Sequence, residues 1–207
     1  MATVLKGAMV GTYVASLRDA ATPTPVFRDC VHNLGVLLAA EVQRLLPTTA
    51  TTVRTPLEDT TCDVLDGSVV IVPILRAGLG LLPAFLSVFP NATVGFVGLR
   101  RNESTLQADE YYYNVPPITA STTVIVIDPM LATGGSLTAA LARLTARHQP
   151  RSIVAACVIA APEGIAAVQG AYPDVPVVVA SVDRGLNDNG YIVPGLGDAG
   201  DRLFGTL

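Results

Sequence analysis

Residues 122–143 constrain the fold of this chain more than any other segment, because three local signals follow one another there. Residues 124–127 form an apolar run of β-branched side chains, which predicts a buried strand. Leucine and alanine side chains recur at helical spacing in residues 137–144, which predicts a helix. Residues 128–136 form a loop rich in small side chains between them. A strand, a small-residue loop and a helix in this order are typical of a phosphate-binding site.

The side chains of this loop support that interpretation. Gly134 and Gly135 permit a tight turn, while Thr133, Ser136 and the free amides at the helix start can donate to a phosphate. Asp128 follows the strand, and a carboxylate there would repel phosphate. A functional Asp128 should therefore accept bonds from sugar hydroxyls or face a metal. The Gly-x-x-x-x-Gly-Lys pattern of nucleoside-triphosphate loops is missing. On this loop alone, an ordinary strand-to-helix turn with a polar cap stays open.

The composition predicts one well-buried domain with a sparsely charged surface. The chain has 207 residues, of which 50% are apolar and only 14% are charged. So few charges predict that part of the surface is buried against another subunit. The net charge of -4 and a single lysine, Lys6, argue against a nucleic-acid partner.

The cysteines and the apolar runs indicate a compartment. Cys30, Cys62 and Cys157 are odd in number and far apart, which predicts buried thiols in a reducing environment. The first residues lack a charged segment followed by an apolar core, and no apolar run reaches about 18 residues. We therefore expect a cytoplasmic protein without a membrane partner.

Along the chain, apolar strands alternate with short helices from residue 69 onward. Residues 1–24 carry few periodic signals, residues 26–46 predict a long amphipathic helix, and the threonine-rich residues 47–67 predict connecting strands or a hairpin. A helix is predicted over residues 77–89. Strands are predicted at 69–75, 93–99, 122–127, 153–160 and 175–181. This alternation predicts an α/β fold, a twisted parallel sheet flanked by helices on both faces.

The predicted sheet forms one domain over residues 1–207, with residues 1–60 as a helical or irregular N-terminal region. Ligands bind at the carboxyl ends of parallel strands, so the loops after the strands should open on one edge. Arg76 follows the first strand, Arg100 and Arg101 follow the second, and residues 161–163 follow the fourth. Arginines beside a phosphate loop predict a cationic cleft for a polyphosphate, although either arginine alone would suit a surface ion pair.

Two further segments have more than one interpretation. Residues 100–121, with Tyr111, Tyr112 and Tyr113, predict an arm or lid that either covers the site or wraps a neighbouring subunit. Residues 195–200 read Gly-x-Gly-x-x-Gly, but a dinucleotide fingerprint needs a further strand and an acid about 20 residues later. Residues 183–201 instead predict an irregular loop whose peptide groups pair with a flat polar ligand such as a pyrimidine; a glycine-rich tail is the alternative.

Residues 128–136 resemble the 5-phosphoribosyl-1-diphosphate (PRPP) loop of the phosphoribosyltransferases, in the form with proline after the acid that the uracil phosphoribosyltransferases carry. Further matches to that family are residues 72–80, 101–103, 161–165 and 190–201. In this order they span about two thirds of the chain, from residue 69 to residue 207.

The resemblance implies the phosphoribosyltransferase fold, with a C-terminal base-binding segment over residues 183–207, and transfer of phosphoribose from PRPP to uracil, giving UMP and diphosphate. It implies Asp128, Arg76 and Arg101 as catalytic residues. It implies PRPP contacts from Arg76, Arg101, Asp128, Pro129, Met130, Leu131, Ala132, Thr133, Gly134, Gly135, Ser136 and Asp198. It implies uracil contacts from backbone groups of Tyr191, Ile192, Gly197, Asp198 and Ala199.

The resemblance also implies partners. Mg²⁺ should bind mainly through the PRPP diphosphate, without a direct protein ligand, GTP is a candidate effector, and the assembly should be a homodimer or homotetramer. His32 and His148 follow no strand end, so we expect both to be structural or solvent-facing. Transfer to another base and a catalytically idle UMP or PRPP sensor are the alternatives. The retained arginines and the Gly134-Gly135 turn favour the enzyme.

Overall fold

The computed structural model describes residues 2–101 and 108–206, which form a twisted sheet between two layers of helices. The strands are β1 Thr3–Val4, β2 Thr48–Arg54, β3 Asp59–Leu65, β4 Ser68–Leu75, β5 Thr93–Val94, β6 Phe96–Arg101, β7 Ala108–Asn114, β8 Thr122–Ile127, β9 Met130–Leu131, β10 Ser152–Ala160, β11 Val177–Val182, β12 Gly185–Leu186 and β13 Ile192–Val193. The helices are α1 Ala8–Arg18, α2 Thr24–Val42, α3 Leu82–Val88, α4 Gly135–Arg147, α5 Pro162–Ala171 and α6 Ala199–Phe204.

The central sheet confirms the predicted α/β class. Its order is β1-β11-β10-β8-β4-β6-β7, with β5 beside β4 and β9 beside β10. Its pairs are parallel except for β6 with β7, which is antiparallel. The carboxyl ends of β4, β6, β8 and β10 therefore lie on the same edge, where parallel sheets bind ligands.

Strand residues alternate between two apolar cores. Ile71 and Ile125 point to the face covered by α1 and α2, whereas Val72 and Val126 point to the face covered by α4. All four are fully buried, which explains why the strands contain few polar residues. The phosphate-loop helix α4 thus packs on one face of the sheet and the N-terminal helices pack on the other.

Several local predictions need correction. The predicted helix over residues 77–89 is a 3₁₀ turn, Ala77–Gly80, followed by α3, because Gly78 packs tightly against Pro73 and because Pro83, in the first turn of α3, favours a new helix start. Cys62 is exposed rather than buried, because it lies on the hairpin of β2 and β3, which is exposed along its whole length. Cys30 and Cys157 are buried as predicted.

The two ends of the chain are more regular than predicted. Residues 1–24 contain β1 and α1, and the spacing of Val10, Val14 and Leu17, which are buried, is the signal that could have revealed the helix. Residues 183–201 are not wholly irregular, since β12 pairs with β13 and α6 begins at Ala199. The predicted helix over residues 26–46 and the predicted hairpin over residues 47–67 are present as α2 and β2–β3.

Of the predicted arm over residues 100–121, residues 100–101 end β6 and residues 108–121 begin with β7, while residues 102–107 lie outside the described residues. Tyr113 packs beneath the Arg147 guanidinium, 3.9 Å from ring centroid to Cζ, and its hydroxyl lies 2.9 Å from His148 Nε2. His148 thus has a structural contact, and His32 is exposed. Among the described residues, none of the helices has the length and apolar composition needed to cross a bilayer.

Candidate active site

The carboxyl edge of the sheet contains a cleft of about 410 Å³, a size common among small-molecule sites. The cleft brings together residues that are up to about 120 positions apart in the sequence. Its lining comprises Arg76, Ala77, Asp128, Met130, Ala132, Ser136, Asn189, Gly190, Tyr191, Ile192, Gly197, Asp198, Ala199 and Gly200. The predicted phosphate loop and the predicted base-binding segment therefore face each other across one cavity.

The phosphate loop has a shape that depends on glycine. Gly134 has φ +83°, and a Cβ there would lie 3.0 Å from both Ala167 Cβ and Gly164 O on α5. Gly134 also occupies the N-cap position of α4 and offers no capping side chain. The first amides of α4 are thus left for a ligand, apart from a long 3.4 Å contact of Gly135 N–H to Thr133 Oγ1.

A second hollow, of about 70 Å³, adjoins the cleft and is lined by residues 130–137. Thr133, Gly135 and Ser136 are exposed in it, as donors to a small anion must be. Pro129 and Leu131 are buried, and their carbonyls accept bonds from β10 and Ala161. The predicted PRPP contacts at Pro129 and Leu131 therefore cannot come from solvent-facing side chains, whereas Met130 and Ala132 line the cleft.

Asp128 directly follows β8, with part of its surface open to the cleft. Loss of water around the carboxyl raises the pKa of Asp128 from its ordinary 3.8 to about 7, against the opposing effect of the Met130 N–H, which donates to Oδ1 at 3.3 Å. Cys157 on β10 is a buried neighbour, and burial followed by the charge of Asp128 raises the pKa of its thiol. A ligand that donates hydrogen bonds to the Asp128 carboxylate would lower this pKa and favour the ionised form.

Arg76 lies at the cleft mouth and remains largely free. Its side chain is 64% exposed, and its guanidinium is 4.0 Å from Asp201 Oδ1 and 6.0 Å from the Phe204 ring centroid. Ion pairs this long and exposed contribute little, so Arg76 can turn toward an anion at small cost. The Arg101 backbone ends β6 on the same sheet edge, and its side chain lies outside the described part of the structure.

The base-binding segment is a small hairpin followed by a glycine turn. Tyr191 N–H donates to Asn187 Oδ1 at 2.9 Å, and Tyr191 C=O accepts from Asn187 N–H at 2.9 Å. The N–H of Tyr191 is thus already used, which leaves its carbonyl as the backbone group with spare capacity for a base. Asp198 Oδ1 caps α6 by accepting from Asp201 N–H at 2.9 Å, so its second carboxylate oxygen remains for the cleft.

Some residues that form the site were assigned no individual ligand contact from the sequence, although Asn189, Gly190 and Gly200 lie within the predicted base-binding segment. Asn189, Gly190, Ala77 and Gly200 line the cleft, and Asn187 holds the hairpin. The signal for Asn187 was local, because Asn side chains commonly bond to backbone amides two residues on, as Asn187 Oδ1 does with Asn189 N–H at 3.0 Å. Ala77 and Gly200 have no such signal, because only the approach of α6 to the turn after β4 places them in the cleft.

Comparison with known families supports one activity class. The family model for uracil phosphoribosyltransferase matches residues 4–206. A uracil phosphoribosyltransferase of Acidovorax sp. (strain JS42) is 52% identical over 190 residues, which are 91% of this chain and 90% of the relative. A uracil phosphoribosyltransferase of Clostridium perfringens (strain SM101 / Type A) is 51% identical over 194 residues, covering 93% and 92%.

Solved structures agree with the fold. The AQ2163 protein from Aquifex aeolicus superposes with a TM-score of 0.91 at 39% identity and covers 99% of this chain and 98% of its own. A purine phosphoribosyltransferase from Pyrococcus horikoshii Ot3 superposes with a TM-score of 0.53 at 12% identity, covering 75% and 84%. At that identity the second match shows a shared fold alone.

Proposed function

The chain belongs to the uracil phosphoribosyltransferase family, and from this premise we propose how its cleft performs the family reaction. The enzyme transfers the phosphoribosyl group of PRPP to uracil, which gives UMP and diphosphate. The observation that carries the residue assignment is the cleft itself, where the phosphate loop, Arg76 and the base segment line one cavity. A catalytically idle sensor is not favoured, since relatives at about 50% identity are uracil phosphoribosyltransferases.

We assign the 5′-phosphate to the small hollow at the start of α4. The free amides of α4 and the exposed hydroxyls of Thr133 and Ser136 are donors, and the helix N-terminus favours an anion. The ribose then reaches Asp128, whose carboxylate can accept from the ribose hydroxyls. As diphosphate leaves the anomeric carbon, the sugar gains positive charge, and an ionised Asp128 stabilises it electrostatically.

The diphosphate would lie toward Arg76 and Arg101, whose positive charges would stabilise the negative charge that develops on this leaving group. Among the described residues, no three His, Cys, Asp or Glu side chains converge on a metal site. This donor set fits a Mg²⁺ held mainly by substrate oxygens, because Mg²⁺ commonly binds through phosphates and water with few carboxylates. When bound there, Mg²⁺ would neutralise part of the leaving-group charge.

For the base we assign backbone groups of Tyr191, Ile192 and residues 197–199, which line the cleft opposite the phosphate loop. The Tyr191 carbonyl can accept the uracil ring N–H, and backbone amides can donate to the uracil carbonyl oxygens. Cytosine would present an amino group to one of those donors, and a mispaired buried donor costs about 1 to 3 kcal/mol.

One assay with purified protein, labelled uracil, PRPP and Mg²⁺ tests the activity, the choice of base and the need for Mg²⁺. We expect uracil to be converted to UMP, and cytosine, orotate and hypoxanthine to be poor substrates. We also expect EDTA to stop the reaction and added Mg²⁺ to restore it. Equal turnover of cytosine and uracil would overturn the assignment of the base segment. Activity that survives EDTA would overturn the Mg²⁺ assignment.

We further propose a homodimer or homotetramer assembled through the β2–β3 hairpin. Val53, Cys62 and Val64 share one face of the hairpin by register, and Leu57 at its tip is 90% exposed. A lone two-stranded hairpin is marginally stable in water, so this apolar face needs a covering surface. We assign this covering surface to a second copy of the chain, because only 14% of the residues are charged.

A double variant, Val53→Asp with Val64→Asp, is expected to elute at the mass of a single chain, because two charges would have to be buried in the interface. Size-exclusion chromatography with light scattering measures this directly, against a wild type expected at twice that mass or more. Val26→Asp is the matched control, since Val26 is also exposed, at 46%, but lies at the start of α2. An unchanged mass for the double variant would contradict the hairpin assignment.

The remaining proposals concern an effector and the cellular location of the protein. We propose GTP as an effector on the family resemblance, and the test is the rate of UMP formation with and without GTP at subsaturating PRPP. We propose a cytoplasmic location, supported by three free cysteines, of which two are buried. An unchanged rate with GTP would remove the effector from the proposal and leave the catalytic assignment intact.

A further inference from the structure

Helix α1 is joined to the base-binding segment by a buried ion pair. Arg18, in the last turn of α1, donates from Nη1 to Asp183 Oδ2 at 2.8 Å and from Nη2 to Asp183 Oδ1. The Asp183 side chain is 1% exposed, and that of Arg18 is 25% exposed. Burial alone would raise the pKa of Asp183, but the bonds from Arg18 and Gly195 outweigh it and hold the pKa below its usual range.

The ion pair holds both backbone groups of Gly195. Gly195 N–H donates to Asp183 Oδ2 at 2.8 Å, and Gly195 C=O accepts from Arg18 Nη1 at 2.9 Å. Gly195 has φ +66°, and a Cβ there would lie 2.1 Å from Ile192 O. The turn is therefore compact, and the Arg18–Asp183 pair sets its position relative to the sheet.

Arg202 of α6 secures the next residue of the same turn. Its guanidinium donates to Leu196 O at 2.8 Å and to Asp19 O at 2.7 Å, and it lies 4.3 Å from the Phe27 ring centroid. Arginines thus hold two consecutive carbonyls of the turn; Arg18 belongs to the end of α1, and Arg202 donates to the backbone just beyond it. Such charge-assisted bonds are stronger than neutral ones and restrict direction as well as distance.

The position of the turn gives this network a function. Gly195 and Leu196 lie between the two groups of residues assigned to uracil, residues 191–192 and 197–199. None of the described cleft-lining residues comes from α1, so we assign Arg18 no direct contact with the substrates. A shift of the turn would move the two groups relative to each other, and hydrogen bonds to a flat base weaken steeply with such misalignment.

We propose that Arg18, acting through Asp183, is a positioning residue that sets the affinity and selectivity of the site for uracil. The proposal rests on the base-binding assignment made above. The phosphate loop is held separately from the network, because residues 128–136 contact β10 and α5 instead. Loss of Arg18 should therefore affect the two substrates unequally.

Steady-state kinetics of Arg18→Gln tests this asymmetry. We expect KM for uracil to rise about tenfold, because the carbonyl of Gly195 and the carboxylate of Asp183 lose the guanidinium that joins them, while KM for PRPP changes less than about twofold. Arg18→Lys should show a rise of about threefold, since lysine keeps one contact to Asp183 and loses the bidentate geometry. Asp183→Asn should behave like Arg18→Gln.

Two further variants distinguish failure of the Arg18 proposal from failure of the base-site assignment. Arg151→Gln is the matched control, because it removes an ion pair of 2.6 Å with Asp66 near the opposite edge of the sheet, and its kinetics should match wild type. Gly197→Ala alters the assigned base-contacting backbone directly, at a residue with φ +81°. If Gly197→Ala raises KM for uracil and folded Arg18→Gln does not, the Arg18 proposal fails and the base site stands.

If neither Gly197→Ala nor Arg18→Gln changes KM for uracil, both the proposal and the base-site assignment fail. An equal rise of both KM values in Arg18→Gln would overturn the proposal, because a general loss of structure predicts that result. Thermal unfolding of each variant accompanies the kinetics. If Arg18→Gln, Arg18→Lys and Asp183→Asn are all unfolded at the assay temperature, the network serves stability and the proposal is overturned.

Discussion

In an Asp128→Asn variant we expect kcat to fall by about a hundredfold to a thousandfold with the fold retained. Asn keeps the shape of the side chain and can still accept from Met130 N–H, but it lacks the negative charge that stabilises the developing positive charge on the sugar. Rate measurements at saturating uracil and PRPP test this expectation, with circular dichroism as the test of folding. Turnover within a few fold of wild type would remove Asp128 from the catalytic site.

The same substitution should make the ligand-free protein more stable at neutral pH. The pKa of Asp128 is raised from 3.8 to about 7, so the folded state binds a proton more tightly than the unfolded state does. Wild-type stability therefore falls as pH rises from about 4 to 7, and this loss is absent in the variant, whose amide does not titrate. We expect Asp128→Asn to raise the free energy of unfolding by about 1 to 3 kcal/mol above pH 7.

Chemical denaturation across pH 4 to 8 tests the stability effect. The gain should be smallest near pH 4, where Asp128 is protonated in the folded state and only partly ionised in the unfolded state, and it should be complete above pH 7. A gain that is constant with pH would show that charge burial is not its cause. Cys157→Ser with Asp128 intact is a control for general repacking beneath the site, since Cys157 is a buried neighbour of Asp128.

Gly134→Ala is expected to raise KM for PRPP about thirtyfold, the equivalent of about 2 kcal/mol. A left-handed conformation at φ +83° disfavours any side chain, and the new Cβ would press on Ala167 and Gly164 at 3.0 Å. The loop can relieve this contact only by moving away from α5, which displaces the amides that hold the 5′-phosphate. Kinetics with PRPP varied at saturating uracil measure the effect.

Gly170→Ala is the matched control for that substitution. Gly170 lies on α5, the helix that Gly134 contacts, but a Cβ there meets nothing within 4 Å, and alanine in a helix is up to about 1 kcal/mol more favourable than glycine. We expect its kinetics to equal wild type. If Gly134→Ala binds PRPP as wild type does, the small hollow at the start of α4 is not the 5′-phosphate site.

Much of the framework could be predicted from local patterns. The β8 run, the loop after it and α4 were evident because strand periodicity, glycine and helical spacing act within a few residues. Arg76, Asp128 and residues 161–163 were expected on one sheet edge because each follows the carboxyl end of a parallel strand. Predictions were weakest where elements were short, as in β1 and the β12–β13 hairpin, because few residues carry a periodic signal there.

By itself, the sequence determined the alternating elements, the phosphate loop and the resemblance that names its family, because each depends on residues close together in the chain. Only the tertiary structure decided that Arg18 pairs with Asp183, 165 positions away, and that Asp128 loses enough water to shift its pKa. Both depend on which surfaces meet when the layers pack. Desolvation and buried ion pairs arise from that packing and have no local pattern.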